Sequence, residues 1–214
     1  MGDVYTSPHP RSAALILIDV QRDFYEEDAP ALIEGTSEAI PAMAELAAAF
    51  REKQLPIVHT VRLYLPDGSN VDLVRRHAIR NGARVVRPGS PGAQIAPPLL
   101  PGEVELQYEL LLQGQFQQLG PREHIMYKSR WGAFYGTGLE AHLRDAGVDT
   151  VVVAGGNFPN CPRASIYEAS ERDFRVVLVA DAVSGGDERG LAECRRIGVS
   201  VWDVVEAIKW LGDE

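Results

Sequence analysis

The chain has 214 residues, of which 45% are hydrophobic and 24% charged, with a formal net charge of −9. This length and balance describe a globular protein with a full hydrophobic core, and two cysteines without a Cys-x-x-Cys exclude a disulfide framework. The acidic excess argues against a nucleic-acid partner, and the short basic stretch VRRHAIR at 74–80 reads as a solvated helical face.

The first twelve residues, MGDVYTSPHPRS, read as an N-terminal arm with no apolar signal core. Nowhere do eighteen apolar residues run together, so neither export nor a membrane span is expected, and a reducing cytoplasm is the expected setting. Met1 and Gly2 with Thr6 match an acylation pattern only formally. A single domain is expected over 13–214. Its first strand is Ala13–Asp19, within LILIDVQRDF, followed by a helical pattern over Ser37–Lys53 with its alanine-rich AMAELAAAF. A strand at Pro56–Val61 precedes a long irregular stretch, Pro66 to Pro121, rich in Pro and Gly. It reads as loop packed over a sheet, with a short helix in YELLLQGQF. Strands follow at His124–Tyr127, Thr150–Ala154, Val176–Ala180 and Val199–Trp202, with helical patterns at Thr137–Ala146 and from Pro162 to about Arg172. Strand alternating with helix implies a parallel sheet covered on both faces, linked by right-handed crossovers.

Ligands in such folds sit beyond the carboxyl ends of the strands. The first strand ends in Asp19, the second reaches His59, the third is followed by Lys128 in MYKSRWGAF, and the fourth leads to Cys161. Gly155 and Gly156 break the fourth strand, and Pro162 suits the first turn of a helix, so Cys161 stands at a helix start. Unpaired N–H groups and the helix dipole there favour a thiolate, the form that attacks carbon. A carboxylate can take the thiol proton, and an ammonium can stabilise developing negative charge. Each residue alone has an ordinary reading: cysteines are commonly packed in cores, aspartates cap loops and helices, and lysines cover surfaces. Their joint placement is what points to chemistry. Cys194, in LAECRRIGVS, has no such setting and reads as helix packing.

LILIDVQRDF, MYKSRWGAFYGTGLEAHL and DTVVVAGGNFPNCPRASIYEASERDFRVVLVADA together resemble the isochorismatase-like cysteine hydrolases, over about residues 13 to 205. The resemblance implies a Rossmann-like three-layer α/β/α sandwich with a six-stranded parallel sheet in the order 3-2-1-4-5-6. It also implies a catalytic set of Asp19, Lys128 and Cys161. It further implies a cis peptide bond at Gly156–Asn157 and an oxyanion hole made of the N–H groups of Asn157 and Cys161. Two positions depart from the family: Pro162 stands where Val is usual and Ser165 where Thr is usual. GGNFPN is also bulkier than the usual loop, so Phe158 is expected at the pocket, with Phe24 and Trp131 as further walls.

Nicotinamidase members carry an Asp-x-His pair and a further His after the second strand, where this chain reads HTVRLYLPDGSN. His59 therefore has no partner at ligand spacing, and neither a metal nor another cofactor is expected. The leading expectation is hydrolysis of a C–N bond in a small amide or carbamoyl compound through a thioester. Vinyl-ether hydrolysis, which needs only the aspartate acid, is the alternative, and a catalytically silent binding protein on the same fold is a third reading. A nucleotide-binding Rossmann protein is disfavoured because no Gly-x-Gly-x-x-Gly follows the first strand. The resemblance also implies a small-molecule substrate and self-association as a homodimer or homotetramer.

Overall fold

The computed structural model describes residues 3–212; Met1 and Gly2 of the acylation pattern, and the last two residues, lie outside them. The run AALILI forms strand β1 (Ala13–Ile18), and every one of its residues is buried, as a strand covered on both faces requires. After it come helices α1 (Arg22–Tyr25) and α2 (Thr36–Glu52), strand β2 (Ile57–Val61), helices α3 (Leu73–Arg80) and α4 (Tyr108–Leu112), and strands β3 (Gln117–Gly120) and β4 (Glu123–Tyr127). Helix α5 (Leu139–Asp145), β5 (Thr150–Gly155), α6 (Cys161–Ser170), β6 (Arg175–Val183), α7 (Glu188–Arg196), β7 (Ser200–Trp202) and α8 (Val204–Gly212) complete the order.

The sheet has seven strands in the order β3-β4-β2-β1-β5-β6-β7. Six of them, from β4 to β7, are parallel and follow the order that the family resemblance implies. The seventh is a correction: β3 pairs antiparallel with β4 at the edge, within the stretch read as loop. Its sequence, QQLG, has no apolar alternation. The Gln117 side chain anchors it, accepting from the Gln107 N–H at 2.8 Å and donating to the Glu105 carbonyl at 2.8 Å.

Strand residues of alternate parity enter two cores. Leu15, Leu17, Ile57 and Val61 meet Met43, Leu46 and Phe50 of α2 and Ala207 and Leu211 of α8, and the 66–121 stretch adds Val71, Val86, Ile95 and Leu99 to that side. Ala14, Ile16, Ile18, Val58 and Met126 meet Leu139 and Leu143 of α5, Cys161 and Ile166 of α6, and Cys194 of α7. Cys194 is fully buried there, in helix packing. The thiol of Cys161 and the even-numbered side chains of β2 and β4 thus share one face.

Candidate active site

At the carboxyl end of β1 the chain leaves the sheet through Asp19, which takes a left-handed backbone with φ 56°. Asp residues are among the few non-glycine types that populate this region. The Asp19 N–H still donates to the Thr60 carbonyl of β2 at 3.1 Å, and the Lys128 N–H donates to the Val61 carbonyl at 3.0 Å. β2 therefore lies between the two charged residues. The Lys128 ammonium, fully buried, donates to Asp19 Oδ2 at 2.7 Å and to the carbonyls of Trp131 at 2.9 Å and Arg130 at 3.1 Å. All three of its protons are used. Asp19 Oδ1, equally buried, has no hydrogen-bond partner among the described residues.

Cys161 opens α6 and is 7% exposed. Burial pushes its thiol up to about 11; the charges of Lys128 and Arg62 oppose that rise and Asp19 adds to it. The helix start was expected to favour a thiolate, and burial works against it here. Desolvation outweighs the helix N-terminus, so at neutral pH the sulfur carries its proton and needs a base to lose it. Ser165 ties the thiol's helix to the lysine's loop: its hydroxyl donates to the Cys161 carbonyl at 2.8 Å and accepts the Ala133 N–H at 3.0 Å. Glu168 accepts the Phe134 N–H at 2.9 Å in the same way. Ser165, where Thr is usual in the family, makes both bonds with its hydroxyl.

Strand β5 reaches Gly155, whose φ is 122° and where a side chain would meet the Ile18 carbonyl oxygen at 2.2 Å. Only glycine permits this close approach to β1. One residue further on, the Gly156–Asn157 bond is cis. The Phe158 N–H donates to the Ser184 carbonyl at 2.7 Å. The N–H groups of Asn157 and Cys161 are both without a protein acceptor among the described residues.

The three expected aromatic walls part company. Trp131, 40% exposed, lines a cleft of about 330 Å³ with Asp72, Arg130, Tyr135 and Ala164. Phe158 is 1% exposed and turns its ring to Gly190 of α7, where there is no side chain to block it, so it fills the core instead of facing the cleft. Phe24 is packed in the other core, with α2.

His59 faces the core opposite Cys161, and its Nε2 lies 2.7 Å from Glu123 Oε1, the carboxylate that Arg51 also binds. Among the described residues no group of three or more His, Cys, Asp or Glu side chains is placed to hold a metal. On Cys161's face the second strand ends instead at Arg62, which the sequence reading passed over. The signal was there: in β2 the side chains alternate, so the face opposite His59 is reached at Thr60 and Arg62. Gln21, in the first motif, positions this arginine. Its amide oxygen accepts the Arg62 N–H at 2.6 Å and its Nε2 donates to the Arg62 carbonyl at 2.9 Å.

A Rossmann-like sheet with its polar cluster beyond the carboxyl ends of the central strands defines the class: a doubly wound α/β protein, a fold whose ligands bind at that crest. The chain belongs to the isochorismatase family, whose isochorismatase-domain model matches residues 13–108 and 112–198. A crystal structure of an isochorismatase family protein from Desulfovibrio vulgaris is similar, with a TM-score of 0.81 and 31% identity, covering 95% of this chain and 100% of that one. Among curated relatives, an Arabidopsis thaliana protein named "Probable inactive nicotinamidase" is 28% identical over 88% of this chain and 91% of its own. A maleamate amidohydrolase of Pseudomonas putida is 29% identical over 81% of this chain and 72% of its own. No helix among the described residues is long and apolar enough to cross a membrane.

Proposed function

We propose that the protein is a cysteine amidohydrolase that cleaves the C–N bond of a small amide or carbamoyl compound through a thioester. Asp19 takes the thiol proton as Cys161 sulfur bonds to the carbonyl carbon. The resulting oxyanion accepts from the open N–H groups of Asn157 and Cys161. Asp19 passes its proton to the nitrogen, the C–N bond breaks, and ammonia or an amine departs. Asp19 then takes a proton from water, whose oxygen attacks the thioester; the acid leaves and the sulfur regains its proton. Lys128 holds Asp19 in place through its hydrogen bond to Oδ2.

The observation that carries this reading is the division of labour on one carboxylate. Oδ2 is held by Lys128 while Oδ1 is buried and unpartnered, at a site whose thiol is protonated at rest. A base with a free oxygen and a nucleophile that needs one are complementary. Self-association and a cytoplasmic setting belong to the same reading, and light scattering on purified protein checks the former.

The test is ammonia or amine release from a panel of small amides, ureas and carbamoyl compounds, against a Cys161→Ala control. Turnover that disappears in the control, with a substrate-derived acyl mass on Cys161 in a quenched sample, is the expected result. No turnover across the panel would favour a silent binding protein, and full turnover in Cys161→Ala would remove the thioester.

A further inference from the structure

Arg62 follows β2 directly and is 1% exposed. The carbonyls just before it accept the N–H groups of Asp19 on one side and Lys128 on the other, so its side chain rises from the sheet between the two. Its Nη2 donates to Tyr64 Oη at 3.1 Å and pairs with Asp72. The N–H groups on Nε and Nη1 have no acceptor among the described residues, although both atoms are shielded from solvent. Thr60 Oγ1, on the same strand and face, and Asp19 Oδ1 are in the same condition.

A buried guanidinium that served only to hold the 66–72 segment through Asp72 would turn its remaining donors to protein carbonyls. Donors shielded from solvent and without a protein acceptor are costly to leave unpaired, so buried orphans of this kind ask for a ligand. The charges agree. Asp19 and Lys128 cancel, and Asp72 is shared by Arg62 and by Arg75 at 3.4 Å, which leaves one positive charge in excess. Arg130 and Glu168 at the cleft offset each other. Burial opposes the charge on Arg62, yet the nearby carboxylates of Asp19 and Asp72 are among the groups that hold its pKa above the ordinary value, so it stays protonated. The cleft of about 330 Å³ touches Asp72 and also Ala164, three residues past Cys161, and is the size of a small metabolite.

We propose that Arg62 is the anchor for a carboxylate on the substrate, so that the protein selects small amides bearing a free acid group over neutral amides of the same size. This rests on the amidohydrolase reading for the reaction but not for the binding. Arginine is suited to the role because its planar, always-charged donors match a carboxylate's two oxygens.

The experiment compares the monoamides of malonic, succinic, glutaric and adipic acid with the matching neutral diamides. Ammonia release is measured on the wild type and calorimetric binding on Cys161→Ala, where no turnover can interfere. At least one acid should bind and react about 10- to 100-fold better than its diamide, the range of one charge-assisted hydrogen-bonded contact. In Arg62→Gln that ratio should fall toward one, while Arg62→Lys should keep part of it. Should Arg62→Gln not fold, the acid-to-diamide ratio in Cys161→Ala decides alone. Equal affinity for every acid and diamide pair, or no binding of any acid, overturns the proposal even if diamides are hydrolysed. Arg62-dependent binding of an acid without any turnover sustains it and instead overturns the amidohydrolase reading.

Discussion

The two decisive properties of individual residues here are the geometry of Asp19 and the ionisation of Cys161. Asp19 sits at φ 56°, so alanine in its place would lose the carboxylate and also strain the turn, whereas asparagine tolerates that region and keeps the shape. Asp19→Asn is therefore the informative replacement. For Cys161 the raised thiol pKa sets a pH signature. Iodoacetamide should modify Cys161 before the fully buried Cys194, and the rate should keep climbing from pH 7 through 9 toward about 11. A rate already level near pH 7 would show a resting thiolate and contradict the concerted role given to Asp19. The identity of the thiol was legible in the chain, because a Gly-Gly break and a following proline mark a strand-to-helix turn. Its protonation was not, because burial of the thiol in the core on its side of the sheet is a tertiary effect that local context does not contain.

Among the elements, the junction of α2, β2 and β4 carries a buried charge network whose titration can be observed. Although burial opposes it, hydrogen bonds from Arg51 and His59 hold the Glu123 carboxyl down at about 2, against 4.5 unperturbed. Burial lowers the His59 pKa below its usual 6.5. The sign is the same for both. Below pH 6.5 the unfolded chain binds a proton that His59 in the fold refuses, and between 4.5 and about 2 it binds one that Glu123 refuses, so stability is lost as pH falls through each window. His59→Gln keeps a donor for Glu123 but cannot titrate. Thermal melts should show the wild type losing stability between pH 7 and 5, and His59→Gln losing less there, by up to about 1.4 kcal/mol per pH unit. His124 and His142, also lowered by burial, leave some slope in the variant. Identical profiles would mean that His59 is not held neutral. The same elements explain what the chain hid: His59 looks like a strand-end candidate until alternation is followed one residue further, where Arg62 emerges on the other face. Likewise QQLG, without apolar alternation, gave no sign of β3, whereas AALILI and VVVAG announced two central strands.

Over the whole molecule, the parallel sheet places residues 19, 62, 128 and 161, far apart in sequence, along one crest above one core. A parallel sheet was expected from the alternation of elements and its strand order from the family resemblance, and the helical readings at 74–80 and in YELLLQGQF match α3 and α4; the seventh strand depends on contacts made only in the fold. The central claim is that Asp19 and Cys161 form one catalytic unit, and a double-mutant cycle tests it most directly. Rates of amide hydrolysis are measured for wild type, Asp19→Asn, Cys161→Ala and the double variant, each checked for an unchanged melt. Asp19→Asn alone should cost about 10²- to 10⁴-fold, the span for a lost acid–base group, and should cost almost nothing further once Cys161 is alanine, because members of one unit do not act independently. Full multiplicative losses, or near wild-type turnover in Cys161→Ala, would contradict the account and favour an aspartate acting alone as an acid.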